Sequence, residues 1–199
     1  MFRSFTLSAL LCFGVAGCAT DAPSLSVRSE QTNDHYTATF DRAIFSQNQD
    51  GQIDLILLAG GKTNDDGTGL PITASNDQSV RQVVHLRVLY EARNTIRVDS
   101  PSAGNAVLTW NVLAGADNRL SYNGSCWAKV KIDGNEADVD IRNAVVSIRR
   151  SVGQMNDPLK RASLEGEFVA TRADLAVKTY LTELATLEQA SQTAAVSNR

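Results

Sequence analysis

Apolar and polar residues alternate with a period of two through most of the chain, and this pattern predicts strands with one buried face. Residues 36–45 are a first candidate strand and residues 53–58 a second, with Asn48-Gln49-Asp50-Gly51 as the turn between them. The alternation resumes over 80–93. There Val84, Leu86, Val88 and Tyr90 share one face, and Val83, His85, Arg87 and Leu89 share the other. Residues 95–98 and 106–113 are shorter candidates, the latter with Leu108, Trp110 and Val112 on one side. Leu120-Ser121-Tyr122 leads into 126–133, which forms with 136–141 the plainest hairpin in the chain. A turn at Asp133-Gly134 pairs Lys131 with Glu136 and Lys129 with Asp138. A turn at Gly134-Asn135 instead places Lys131 opposite Asp138 and Lys129 opposite Asp140. Either register keeps the charges on one face and leaves the other apolar, so this part of the sheet is covered on one side only. Residues 144–152 and 164–170 complete the strand candidates.

Two regions break the alternation. Residues 60–79 are rich in Gly, Asn, Asp, Thr and Ser around Pro71, which predicts a long surface loop. Residues 173–189 show Leu175, Val177, Tyr180, Leu181, Leu184 and Leu187 near helical spacing, with Thr171 or Asp174 as a cap. Such a stripe must bury against something, and a sheet face is the natural partner. The expected fold is α+β, mostly β: an antiparallel sheet or β-sandwich with a C-terminal helix packed on one face. A single domain is expected over 35–190, followed by a polar, frayed tail over 191–199.

The first eighteen residues follow a different logic. Arg3 is a cationic start, residues 5–15 are apolar but too short to span a bilayer, and Ala16 and Gly17 are small. The tetrapeptide Val15-Ala16-Gly17-Cys18 resembles the lipobox of bacterial lipoproteins. That resemblance covers only the leader and implies a signal peptide over 1–17, cleavage before Cys18, and a lipid attached through the Cys18 sulfur. It implies a membrane partner through the N-terminal lipid. Ala19, rather than Asp, follows the cysteine, which points to the periplasmic face of the outer membrane. Residues 18–34 are then the lipidated N-terminus and a polar, flexible tether. No family is recognised for the rest of the chain.

Composition adds limits. The 199 residues are 43% hydrophobic and 21% charged, ordinary for a globular domain with its own core. Formal net charge is −3, and loss of the leader removes one cation and no acid. Without a basic excess to neutralise phosphates, nucleic acid is not an expected partner. Loss of Cys12 with the leader and lipidation of Cys18 leave Cys126 unpaired, and its place in a strand predicts a buried structural thiol.

The remaining motifs favour bland readings. Residues 48–54 resemble the centre of an EF-hand loop, but Ser46 and Leu57 fall where that family needs an acid and a bidentate Glu. Asp65 and Asp66 lie in the oxygen-rich 64–69 stretch, which reads as solvated loop. Glu136, Asp138 and Asp140 share a face with Lys129 and Lys131, an exposed charge row rather than an acid–base pair in a cleft. Gly60-Gly61-Lys62-Thr63 lacks the earlier glycine of a phosphate loop, since Ile56 stands there. His35 and His85 have no ligand-spaced companion, and His85 is expected half-exposed. No cofactor is expected. The functional expectation is a membrane-anchored, non-enzymatic binding or assembly module, with an envelope protein or small ligand as partner. Its rival is a secreted hydrolase whose site is assembled only by the fold, with Cys126, His85 and an acid brought together.

Overall fold

In the computed structural model the described residues are 22–60, 80–90, 104–114, 118–153, 155, 157 and 159–197. Among these described residues nine strands precede one helix. They are β1 (Ser24–Ser29), β2 (His35–Thr39), β3 (Arg42–Gln47), β4 (Ile53–Ala59), β5 (Val80–Val88), β6 (Ala106–Ala114), β7 (Asn118–Asp133), β8 (Glu136–Val152) and β9 (Arg161–Arg172), followed by α1 (Asp174–Ser197).

Sequential antiparallel pairing runs from β3 to β9, each strand bonded to the next. The far edge of β9 then bonds β3 in parallel at Ile44–Thr171 and Phe45–Arg172. The sheet thereby closes on itself as a seven-stranded barrel, and closure removes the sticky edges of an open sheet. The β1–β2 hairpin attaches to the same edge of β9 through Ser26–Glu165 to Ser29–Ala162. One pairing is therefore parallel, where the alternation alone suggests an all-antiparallel sheet.

The inward residues alternate along every strand and form one core. Leu25, Phe40, Phe45, Leu55, Leu86, Leu108, Ile141 and Leu164 are all essentially inaccessible. Side chains of this size fill a narrow barrel. A second, smaller cluster lies outside the barrel, where Val177 and Tyr180 of α1 cover Ile44, Ile56, Val83 and Leu113. The helix thus packs on one face of the sheet as its apolar stripe requires, although Leu175 lies off the buried stripe and is 77% exposed.

Three boundaries need correction. The stretch expected to be a tether over 18–34 contains β1, because Leu25 and Val27 alternate with polar neighbours and are fully buried against β9. The domain expected over 35–190 therefore includes β1. The single strand expected over 36–45 is two, since Phe40 turns into the core between β2 and β3 and its N–H donates to Pro23 O at 2.8 Å. The tail expected over 191–199 is helical as far as Ser197, where Ala194 and Ala195 favour continuation. Residues 61–79 and 95–98, with the loop and the short strand expected there, lie outside the described residues.

The central hairpin takes the second of the two registers, with Gly134-Asn135 as the loop. Gly134 has φ +59° and Asn135 does not share a positive φ, as a type II′ turn requires. Lys129 accordingly faces Asp140, Lys131 faces Asp138, and Asp133 faces Glu136. Two bulges interrupt the β7–β8 pairing. One doubles up at Asn143, whose φ of +50° an asparagine tolerates. The other falls at Arg149, between Arg150 (opposite Ser121) and Ile148 (opposite Tyr122).

Candidate functional site

Strand polarity decides the fate of the hydrolase constellation. Cys126 pairs with Ala106 and points into the barrel at 2% exposure. Burial pushes its thiol up to about 12, so almost no thiolate exists near neutrality. His85 lies on the outer surface of β5, opposite Ile56 and Thr109. The sheet wall separates the two residues, and they share no cleft.

His85 is more enclosed than the alternation suggests, at 16% side-chain exposure, and it has a partner. Its Nε2 lies 2.8 Å from Asp54 Oδ1, and Arg87 Nε donates to the same oxygen at 2.8 Å. Burial pulls the Asp54 carboxyl upward, but the hydrogen bonds from His85 and Arg87 outweigh it and hold the group below its ordinary range. An ionised carboxylate between two donors stitches β4 to β5. Both donors converge on Oδ1 from the neighbouring strand, which suits a structural clamp. Sequence reasoning places His85 and Arg87 on one face, but Asp54 joins them only through the β4–β5 register.

A second polar device sits at the inner end of the barrel. The Tyr122 hydroxyl donates to Asp157 Oδ1 at 2.6 Å, and that oxygen also accepts from the N–H groups of Leu159 and Lys160. Burial and then the hydrogen bond to Asp157 raise the Tyr122 pKa far out of the titrating range. Burial, with the nearby Asp157 charge, pushes Tyr36 up to about 12. Both phenols stay protonated at neutral pH, and Tyr122 acts as a permanent donor to Asp157, not as an acid of a reaction. At the opposite end Asn105 is fully buried and imitates a strand. Its Nδ2 donates to Ala128 O at 2.8 Å and Tyr90 O at 3.0 Å, while its Oδ1 accepts from Ala128 N–H at 2.8 Å.

The charged row foreseen on the central hairpin does form the floor of a surface groove. It measures about 470 Å³ and is lined by Lys129, Lys131, Asp138, Asp140, Glu167 and Val169, among others. Arg142 clamps Asp140 through Nε at 2.9 Å and Nη2 at 2.8 Å and reaches Glu167 at 3.7 Å. The lysines of β7 face carboxylates of β8, and Glu167 of β9 lies opposite Asp140, so the groove carries both signs and is open to solvent. This geometry can read a polar partner by charge pattern. It lacks the desolvated acid and base that bond-breaking needs. Glu136 stands apart, beside the turn.

Among the described residues no group of three His, Cys, Asp or Glu side chains is arranged to hold a metal, and no helix is long and apolar enough to cross a membrane. Cys18, Asp65 and Asp66 lie outside the described residues. Set against known proteins, the chain matches no family model, no curated protein and no solved structure.

Proposed function

We propose that this chain is a membrane-anchored envelope lipoprotein whose barrel serves as a non-enzymatic binding or assembly module. The observation that carries the reading is the junction between leader and fold. Val15-Ala16-Gly17-Cys18 completes a lipobox pattern, and β1 begins at Ser24. Five residues separate the anchoring cysteine from the sheet. At about 3.5 Å per extended residue they hold the barrel within roughly 20 Å of the bilayer. A diacylglyceryl anchor with a further acyl chain exceeds the two-signal threshold for stable attachment. The mixed-charge groove over β7–β9 is the surface offered to an envelope protein or small polar ligand, and the separation of Cys126 from His85 speaks against the hydrolase.

The test is fractionation with intact-mass measurement of the mature protein. The expected product begins at Cys18, carries acyl mass and partitions with membranes, and Cys18→Ala moves it to the soluble fraction. A mature chain with an unmodified thiol at Cys18, or a Cys18→Ala variant that stays membrane-bound, overturns the reading. In the anchored protein, charge reversal at Lys129 and Lys131 leaves membrane attachment intact, because attachment resides in the lipid and not in the groove.

A further inference from the structure

Closure of the barrel leaves one edge behind. Strand β2 bonds β1 on one side, and among the described residues no strand lies on its other side. We propose that this edge pairs antiparallel with the β2 edge of a second copy of the chain, about a two-fold axis through Thr37. The inference rests on β2 alone and not on the lipid anchor.

Backbone parity fixes which groups face outward. In an antiparallel pair, alternate residues turn their N–H and C=O toward the neighbouring strand and the others turn them away. Phe40 N–H donates to Pro23 O at 2.8 Å, and Ser29 N–H donates to Asp34 O at 3.0 Å. Tyr36 and Ala38 share the parity of Asp34 and Phe40, so their backbone groups bond Val27 and Leu25 of β1. His35, Thr37 and Thr39 therefore aim theirs away from β1, and all three residues are exposed. Natural sheet edges are guarded by lysine, proline, a bulge or a covering element. The β2 sequence is His-Tyr-Thr-Ala-Thr, with no lysine or proline, and its register against β1 is unbroken. Among the described residues nothing covers it.

The occupant follows from the sequence of the edge. A two-fold contact must be self-complementary. Pairing about Thr37 sets Thr37 opposite its own copy and His35 opposite Thr39, all at hydrogen-bonded positions, with about two backbone bonds per pair. On the opposite face Tyr36, 40% exposed, lies across from the small Ala38 of the second copy. Threonine pairs and aromatic side chains stabilise such ladders. No Asp, Glu, Lys or Arg stands in β2, so the symmetric pairing brings no like charges face to face. Its five residues cover less area than a standard interface, so the association is weak, with a Kd on the order of 0.1–1 mM.

Facing Cβ atoms in such a pair lie about 5 Å apart, too far for a relaxed disulfide and within reach of a short bis-alkylating reagent. The variants His35→Cys, Thr37→Cys and Thr39→Cys are made in the whole protein, and bridged dimer is measured at submillimolar concentration. The parental chain controls for its own thiols. Thr37→Cys is expected to bridge to itself. His35→Cys and Thr39→Cys should bridge several-fold better when mixed than either does alone, because position 35 faces 39 and not itself. Adding Thr37→Pro to both removes the central outward N–H and leaves the β1 ladder untouched. It should cut bridging in the mixture about tenfold, the effect of losing one or two backbone hydrogen bonds, with an unchanged circular dichroism spectrum. The proposal is overturned if Thr37→Cys gives no more dimer than the parental chain, or if His35→Cys bridges to itself as readily as to Thr39→Cys. Both readings stand without the proline variant. Undiminished bridging in a folded proline variant overturns it as well, and a chain monomeric throughout leaves the edge to a strand from another protein.

Discussion

Cys126 shows how one buried group can report on the whole barrel. Its thiol faces Ala106 in a wall of aliphatic side chains, and burial alone raises its pKa from the ordinary 9.0 to about 12. The sign of the resulting linkage is fixed. The protonated thiol is favoured in the folded state, so its contribution is fully present below pH 9. It is lost as pH rises from 9 toward 12, while the unfolded chain ionises and the folded one does not. The folded protein should therefore lose on the order of 1 kcal/mol by pH 10 from this residue. Cys126→Ala should flatten that part of the alkaline limb in denaturant titrations followed by fluorescence. Iodoacetamide at pH 8 should label Cys126 only through unfolding, with a rate that follows denaturant concentration. Rapid labelling of the native protein would show that the thiol is open to solvent. The sequence made this residue legible as a buried thiol because its strand alternation is regular. It left Asp54 unread as the partner of His85, because that contact spans 31 positions and depends on the β4–β5 register.

Strands become a barrel here through a few close approaches that only glycine permits. A Cβ on Gly124 would run into the carbonyl oxygen and carbon of Val145 in β8, and one on Gly166 would lie 2.6 Å from Ser24 O in β1. Both obstacles are backbone, so no side-chain rotation relieves them. Gly124→Ala should cost on the order of 3 kcal/mol by forcing β7 and β8 apart. Gly134→Ala meets no atom within 4 Å and should cost less, through its positive φ alone. Urea titration of the two variants checks the order, and equal losses would contradict the close packing of β7 on β8. The long hairpin, β4, β6, β9 and the helix were all legible from local period and turn chemistry, whereas the choice between the Asp133-Gly134 and Gly134-Asn135 turns was not. The β1 strand was not, since Leu25 and Val27 are only two apolar positions in a polar run. The closing parallel pair between β3 and β9 joins residues some 127 positions apart, and no local pattern encodes it. The bulge at Arg149 was hidden for a related reason: alternation alone cannot place an extra residue in a strand.

For the molecule as a whole, the barrel and its helix are unequal partners. The interior cluster is continuous around all nine strands, whereas α1 is held by Val177 and Tyr180 over Ile44, Ile56, Val83 and Leu113. Partly buried Leu181, Leu184 and Leu187 extend that contact, and the half-exposed Arg149–Glu188 pair contributes at most about 1 kcal/mol. An element so attached can open without disturbing a closed sheet, whose strands each bond to two neighbours. Amide hydrogen exchange should therefore resolve two levels of protection. Helix amides should exchange by local opening, and those of β6, β7 and β8 only through global unfolding. Val177→Ala removes two buried methyl groups, costs about 2 kcal/mol locally and should speed helix exchange some thirtyfold. Exchange in β7 should stay unchanged under the same conditions. A uniform acceleration in both elements would mean that helix and barrel form a single cooperative unit.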